Sequence, residues 1–247
     1  MFFAFDVDGT LTPSRQKISP QFEDWFLSWV ADVQNWGGSV LLVTGSDRPK
    51  TVEQLGEKIV DAVDYCCNCM GNTVYKKGQI VYDYKFDYPP ELVEFLNNEL
   101  NSSVYSERSG NHIEDRGAML NYSTVGRNAN IEQRKRYHEW DAISNERIEI
   151  AHRLNEQFEL HNIVAQVAGE IGIDITAKGR DKRQCIKYMQ GDIVLFFGDR
   201  MDDNGNDKPL ADAVNQLQNG SRCYEVKNWE ETWDILQNLK QAIRSIR

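Results

Sequence analysis

The sequence has no long apolar run. Val40–Val43 and Ile193–Phe197 fall far below the roughly 20 residues of a membrane-spanning helix. Positive charge is scarce too. Its 28 lysines and arginines face 38 aspartates and glutamates, a formal net charge of −10, which argues against coating nucleic acid or an anionic membrane. Asp6 and Asp8 interrupt the first apolar run, so no secretory signal is expected. Five cysteines, an odd number in 247 residues, make no disulfide framework and suit a reducing compartment. Cys66-Cys67-Asn68-Cys69 lacks a second Cys/His pair at zinc spacing, so buried small side chains are the better reading. His112, His138, His152 and His161 show no metal spacing with a carboxylate, and neither an internal repeat nor a low-complexity linker stands out. What remains is 40% hydrophobic and 11% aromatic residues, enough for the core of one large domain or two modest ones.

Met1–Phe5 is a short apolar run that meets two aspartates, Gly9 and Pro13, which predicts a buried strand ending in a loop. Phe22, Trp25, Phe26, Trp29, Val30 and Val33 recur at spacings of three and four, an amphipathic helix closed by Gly37-Gly38. Val40–Val43 is the next buried strand, followed by Thr44-Gly45-Ser46-Asp47 and a helix to about Val60. Alternating helices and continuously apolar strands imply a parallel sheet covered on both faces. From about Gly71 the pattern becomes α+β with antiparallel features. A hairpin is expected around Lys77-Gly78, helices near Glu91–Leu100 and over Arg147–Phe158, and strands at Met119–Ser123, Ile163–Val167 and Ile171–Ile175. Tyr82, Tyr84, Phe86 and Tyr88 alternate as in a strand. A helix near Lys182–Met189 and the strand Ile193–Phe197 restore the first pattern. The expectation is a discontinuous α/β core of residues 1–80 and 180–247, with an inserted domain of residues 81–179.

Two strands end in aspartates. Asp6-Val7-Asp8-Gly9-Thr10 follows the first, and the carboxyl ends of strands are where open α/β sheets bind ligands. One carboxylate can serve as nucleophile beside a cation and the other as proton donor and acceptor. Gly9 would let the chain turn, and the Thr10 hydroxyl would fix the loop. Gly198-Asp199 follows the second strand and leads into Asp202, Asp203, Asn204, Gly205, Asn206 and Asp207. A further aspartate there suits a hard, oxygen-loving cation, Mg²⁺ by default.

Together with Thr44-Gly45-Ser46-Asp47 and Lys182, these segments resemble the four motifs of the haloacid dehalogenase (HAD) phosphotransferase superfamily, in that superfamily's order. The resemblance implies a HAD-like Rossmannoid parallel-sheet core with an inserted α+β cap domain.

The insert also carries a basic island. Between Arg108 and Arg136 lie Arg108, Arg116, Arg127, Arg134, Lys135 and Arg136, against only Glu114, Asp115 and Glu132. Arginines beside glycines (Arg116-Gly117, Gly126-Arg127) suit bidentate capture of phosphate. The run from Arg116 through Arg127, with Arg134 seven residues on, resembles the substrate-phosphate signature of the eukaryotic-type phosphomannomutase family. So do Arg15, nine residues after Asp6, the segment around Lys182, and the spacing of eight between Asp199 and Asp207. Asp174 falls where that family has a sugar-hydroxyl ligand. Gly172 stands where it has serine, and Thr44 where it has glycine.

The resemblance implies a homodimeric, cytoplasmic enzyme that interconverts mannose 1-phosphate and mannose 6-phosphate and supplies nucleotide-sugar synthesis. Asp6 would be the nucleophile and Asp8 the acid and base. Asp6, Asp199, Asp207 and the Asp8 backbone carbonyl would belong to the Mg²⁺ site. Lys182, Thr44 and Ser46 would contact the transferring phosphoryl group. Arg15, Arg116, Arg127 and Arg134 would hold the other phosphate, with a hexose 1,6-bisphosphate as activator. A closing insert would exclude water. Thr44 and Gly172 keep open a sugar-phosphate or nucleotide phosphatase on the same fold.

Overall fold

The computed structural model describes residues 1–203 and 205–245, with side chains through residue 241, and divides into two compact units. The first comprises Met1–Asp83 and Arg180–Arg247, and the second Tyr84–Gly179. The first contains β1 (Phe2–Phe5), α1 (Pro20–Asn35), β2 (Ser39–Val43), α2 (Arg48–Ala62), β3 (Tyr65–Asn68), β4 (Thr73–Lys76) and β5 (Gln79–Asp83). The second holds α3 (Pro90–Ser102), β6 (Ile113–Asp115), β7 (Leu120–Tyr122), α4 (Ile131–Ser144), α5 (Glu146–Gln157), β8 (Ile163–Ala168) and β9 (Gly172–Ala177). The chain then returns to the first unit with β10 (Val194–Gly198), α6 (Lys208–Asn215), β11 (Arg222–Glu225) and α7 (Trp229–Ser245).

The first unit is built on a seven-stranded sheet in the order β11-β10-β1-β2-β3-β4-β5. The first five strands are parallel, and β4 and β5 add an antiparallel hairpin at the edge. Alternation along each central strand explains the unbroken apolar runs. Phe3, Phe5, Val40, Leu42, Leu195 and Phe197 pack under α1, α2 and α7, and Ala4, Leu41, Val43, Val194 and Phe196 pack under α6 and the turn near Cys185. With both faces covered, every position must be apolar. Trp29 of the α1 stripe is buried, and Trp25 and Trp36 pack against the same cluster. Cys66, Cys67 and Cys69 are buried as free thiols, and burial pushes the Cys66 thiol up to about 12.

Several local expectations change. β5 carries residues 81–83, which the sequence pattern assigned to the insert, into the core sheet. The aromatic alternation ends with Tyr82. Phe86 is buried and Tyr84 and Tyr88 pack with it, without forming a strand. Lys182–Tyr188 is a 3₁₀ helix rather than an α-helix. No helix among the described residues is long and apolar enough to cross a membrane.

The second unit has a four-stranded antiparallel sheet in the order β6-β7-β9-β8. One face presents Leu120, Tyr122, Ile173 and Ile175 to Leu92 and Leu96 of α3 and to Ile150 and Leu154 of α5. By alternation the other face carries Asn121 and Asp174, paired across β7 and β9. The turn between β8 and β9 is tied down by Arg147. Its guanidinium pairs with Asp141 at 2.7 Å and donates to the Gly169 carbonyl at 2.9 Å, with both side chains only 6% exposed.

Arg147→Ala should therefore destabilise the protein by about 3–5 kcal/mol, because it strands the Asp141 carboxylate away from water. Replacing both partners by apolar residues, Asp141→Leu with Arg147→Met, should recover most of that loss in chemical denaturation.

Candidate active site

Asp6 follows β1 directly, and its N–H donates to the Phe197 carbonyl of β10 at 2.9 Å. The strand beneath it is braced by aromatic stacking. Phe5 lies on Phe197 with ring centroids 4.9 Å apart, and Phe197 lies on Tyr224 at 4.6 Å. Asp199 follows β10 in the same way. Because β1 lies between β10 and β2, the parallel register puts Asp6, Asp199 and Thr44 at one end of the sheet.

The charged centre is Lys182. Its ammonium is fully buried and donates at 2.6 Å to Asp6 Oδ1 and at 2.6 Å to Asp207 Oδ1. The second oxygen of Asp207 accepts from the Arg200 N–H at 3.1 Å. The backbone must pass close by: a Cβ on Gly198 would lie 2.6 Å from Asp207 Oδ2, and one on Gly9 would collide with the Asp199 carboxylate. Gly9 also has φ +77°, the left-handed region that favours glycine.

Asp6, Asp199 and Asp207 each offer a carboxylate oxygen within 4.8 Å of the others, the one such cluster of potential ligands among the described residues. Burial, reinforced by Asp207 and Asp199, raises Asp6 well above the usual carboxylate range despite the attraction of Lys182. Burial first and then repulsion from Asp207 push Asp199 up to about 6. Burial opposes the charge of Lys182, but Asp207 and Asp6 outweigh it and hold the lysine above its ordinary range. One ammonium among three carboxylates leaves an excess of negative charge on hard oxygen donors. That donor set fits a divalent cation such as Mg²⁺.

Asp8 is held separately. Its Oδ1 accepts from the Arg15 N–H at 2.6 Å and from Gln54 Nε2 at 2.8 Å. The loop beyond it is fixed by backbone bonds, such as Leu11 N–H to the Val7 carbonyl at 2.9 Å. The Thr10 hydroxyl expected to do this is buried and has no hydrogen-bond partner among the described residues. At the end of β2, Thr44 Oγ1 accepts from the Ser46 N–H at 3.0 Å, which shapes the turn that carries Ser46. Asn204 of the acidic loop lies outside the described residues.

In the second unit the arginines form one network. Arg116 donates through Nε at 2.9 Å and Nη2 at 2.6 Å to Glu114 Oε2, which also accepts from Arg127 Nε at 3.1 Å. Arg134 donates to the Ala129 carbonyl at 2.8 Å and to the Arg127 carbonyl at 3.1 Å. Burial works against the charge on Glu114, but Arg116 and Arg127 outweigh it and hold the carboxyl below its usual value. Asp174 Oδ1 accepts from Asn121 Nδ2 at 2.5 Å, and a Cβ on Gly172 would lie 3.0 Å from that same nitrogen.

The sequence reading missed Gln54, Glu114 and Asn121. Glu114 counted only as a minus charge within a basic island. Gln54 and Asn121 are ordinary polar residues whose partners lie 46 and 53 positions away in the chain.

Comparison with known proteins bears on the lineage and the fold of the chain. The sequence profile of eukaryotic phosphomannomutase matches residues 33–241. A phosphomannomutase from Arabidopsis thaliana is 33% identical over 216 residues, covering 85% of this chain and 86% of that protein. One from Schizosaccharomyces pombe is 33% identical over 217 residues, 82% of each chain. Among solved structures, a haloacid dehalogenase-like hydrolase from Bacteroides thetaiotaomicron superposes with a TM-score of 0.63 at 13% identity, over 96% of this chain and 98% of that one. This likeness is one of fold, and it is the HAD-like fold that the sequence motifs led us to expect. The profile and the relatives agree on lineage: the chain belongs to the eukaryotic phosphomannomutase family.

Proposed function

We propose that this protein is a phosphomannomutase, interconverting mannose 1-phosphate and mannose 6-phosphate through an aspartyl phosphate on Asp6 and a hexose 1,6-bisphosphate. The observation that carries the reading is the Asp6–Lys182–Asp207 centre with Asp199 beside it, in a chain whose family is phosphomannomutase. Asp6 attacks the phosphorus of the bisphosphate, its P–O bond to the sugar breaks, and the sugar oxygen takes a proton from Asp8. In the other half-reaction Asp8 removes the proton from the free 1- or 6-hydroxyl of an incoming mannose monophosphate, which takes the phosphoryl group from Asp6 and gives back the bisphosphate. Lys182 and the hydroxyls of Thr44 and Ser46 contact the transferring oxygens.

Asp6, Asp199 and Asp207, with the Asp8 backbone carbonyl, hold Mg²⁺. The cation supplies charge neutralisation at the phosphoryl group. In this reading Arg15, Arg116, Arg127 and Arg134 grip the phosphate that is not reacting, and Asp174 binds a sugar hydroxyl. A grip on phosphate alone is indifferent to which end of the hexose it holds, which a mutase needs and a phosphatase does not. The insert, residues 81–179 in the sequence reading, acts as the substrate-phosphate-binding cap. A cytoplasmic homodimer joined through the cap, in the service of GDP-mannose biosynthesis, completes the reading and rests on family likeness.

Mannose 1-phosphate with Mg²⁺ and a hexose 1,6-bisphosphate should yield mannose 6-phosphate with little free phosphate. Phosphate release without isomerisation would instead support the phosphatase reading. Asp6→Asn should abolish turnover and leave thermal unfolding nearly unchanged, since the amide oxygen can still accept from Lys182.

The raised carboxyls also fix the sign of a pH effect. Asp199 goes from 3.8 in the unfolded chain to about 6 in the fold, so its contribution to metal-free stability is full below 3.8 and lost as pH rises through about 6. Mg²⁺ should relieve that loss. The rise in melting temperature on exchanging EDTA for Mg²⁺ should be larger at about pH 7.5 than at about pH 5, where Asp199 holds a proton.

A further inference from the structure

We propose that Gln54 is the positioning residue for Asp8, fixing one carboxylate oxygen so that the other carries the transferred proton. The inference rests on the reading of Asp8 as acid and base, and it is drawn from contacts within the first unit.

Gln54 is 2% exposed, and its amide donates to Asp8 Oδ1 at 2.8 Å, with a longer contact of 3.4 Å to Thr12 Oγ1. Its main-chain carbonyl accepts from the Ile18 N–H at 2.9 Å. A single residue therefore fastens both ends of the segment from Asp8 to Ile18. The same segment supplies the second donor to Asp8 Oδ1, the Arg15 N–H at 2.6 Å. Arg15 sits at φ +58°, a left-handed conformation sparsely populated by residues with a side chain and kept only where neighbours hold it.

The sequence around Gln54 accounts for its double duty. In an unbroken α-helix its carbonyl would accept from the N–H four residues later. α2 is interrupted at Gly56, whose φ of +77° and ψ of 155° are not helical, and this breaks the register next to Gln54. Space is not the reason for glycine, since the nearest atom to an added Cβ would be 3.6 Å away. The backbone angle is.

Two N–H donors aimed at one carboxylate oxygen oppose a proton on that oxygen, because its O–H would meet them head-on. Oδ2 of Asp8 is therefore the oxygen that gives and takes the proton. When the P–O bond to the sugar breaks, the departing oxygen receives the proton from Oδ2. When the second hydroxyl attacks, Oδ2 recovers one. Without Gln54, the carboxylate would rotate and the proton would be misplaced, while Asp6 and Lys182 would be untouched.

A leaving group that needs no proton separates this role from a merely structural one. p-Nitrophenolate departs as the anion, whereas a sugar oxygen must be protonated. Gln54→Leu removes the donor, and Gln54→Glu keeps the shape but turns an acceptor toward Asp8. In single-turnover phosphorylation of Asp6, both variants should slow the reaction with mannose 1,6-bisphosphate by about 10–100-fold, part of the usual general-acid contribution. Release of p-nitrophenolate from p-nitrophenyl phosphate in the same preparations should stay within about threefold of the parent, since no acid is required. Equal losses with both donors, or no loss with the sugar donor, would overturn the proposal. Failure of the mutase reading would show separately, as phosphate release by the parent protein without isomerisation. The same rate ratio would then be read with mannose 6-phosphate as the sugar donor.

Discussion

The structure depends on one buried ammonium. Lys182 is the only cation that contacts Asp6 or Asp207 in the hydrogen bonds at the described strand ends, and it has no exposure to water. A buried charge persists only where partners replace its hydration, and the loss of Lys182 would leave Asp6 and Asp207 as buried carboxylates without their cation. The arrangement also sets the chain topology. Asp6 lies at the start of the sequence and Lys182 and Asp207 near its end, so β1 and β10 must be neighbours for the three to meet. Their pairing, the stacked rings of Phe5 and Phe197 and the 3₁₀ turn that starts at Lys182 all serve that meeting. The Tyr84–Gly179 unit interrupts the chain without breaking it, because Asp83 and Arg180 belong to the same compact unit.

What was readable in the sequence was what burial makes uniform. Val40–Val43 and Ile193–Phe197 are apolar throughout because both faces of the sheet are covered, and α1 shows its stripe because one face alone is buried. α4 was not readable for the converse reason. Only Tyr137 and Asp141 of its 14 residues are buried, and its start is set by a capping box between Asn130 and Gln133 rather than by an apolar period. β11, an edge strand reading Arg-Cys-Tyr-Glu with no fully buried residue, likewise carries no pattern.

The site divides along the same line. Carboxylates after buried strands announce themselves, because a charge beside a run of five apolar residues has few structural uses. Residues that orient those carboxylates do not. Gln54 could not be found from composition or spacing, since its meaning depends on a helix break two residues later and on an aspartate 46 residues earlier. Glu114 was obscured by its sign. An acid among arginines reads as dilution of a basic patch, yet its one oxygen gathers Arg116 and Arg127 and so sets their geometry.

The departures from the family pattern are physical too. A serine at position 172 would bring a Cβ to 3.0 Å from the Asn121 amide and 3.1 Å from the Ala168 carbonyl, closer than neighbours normally tolerate. Asn121 is buried at 2% exposure and spends that amide on Asp174. Asn121 and Asp174 are direct partners across β7 and β9, so the amide sets the Asp174 carboxylate. A serine there would press on the amide that positions Asp174, and its Cβ would fit only with a small shift of Asn121.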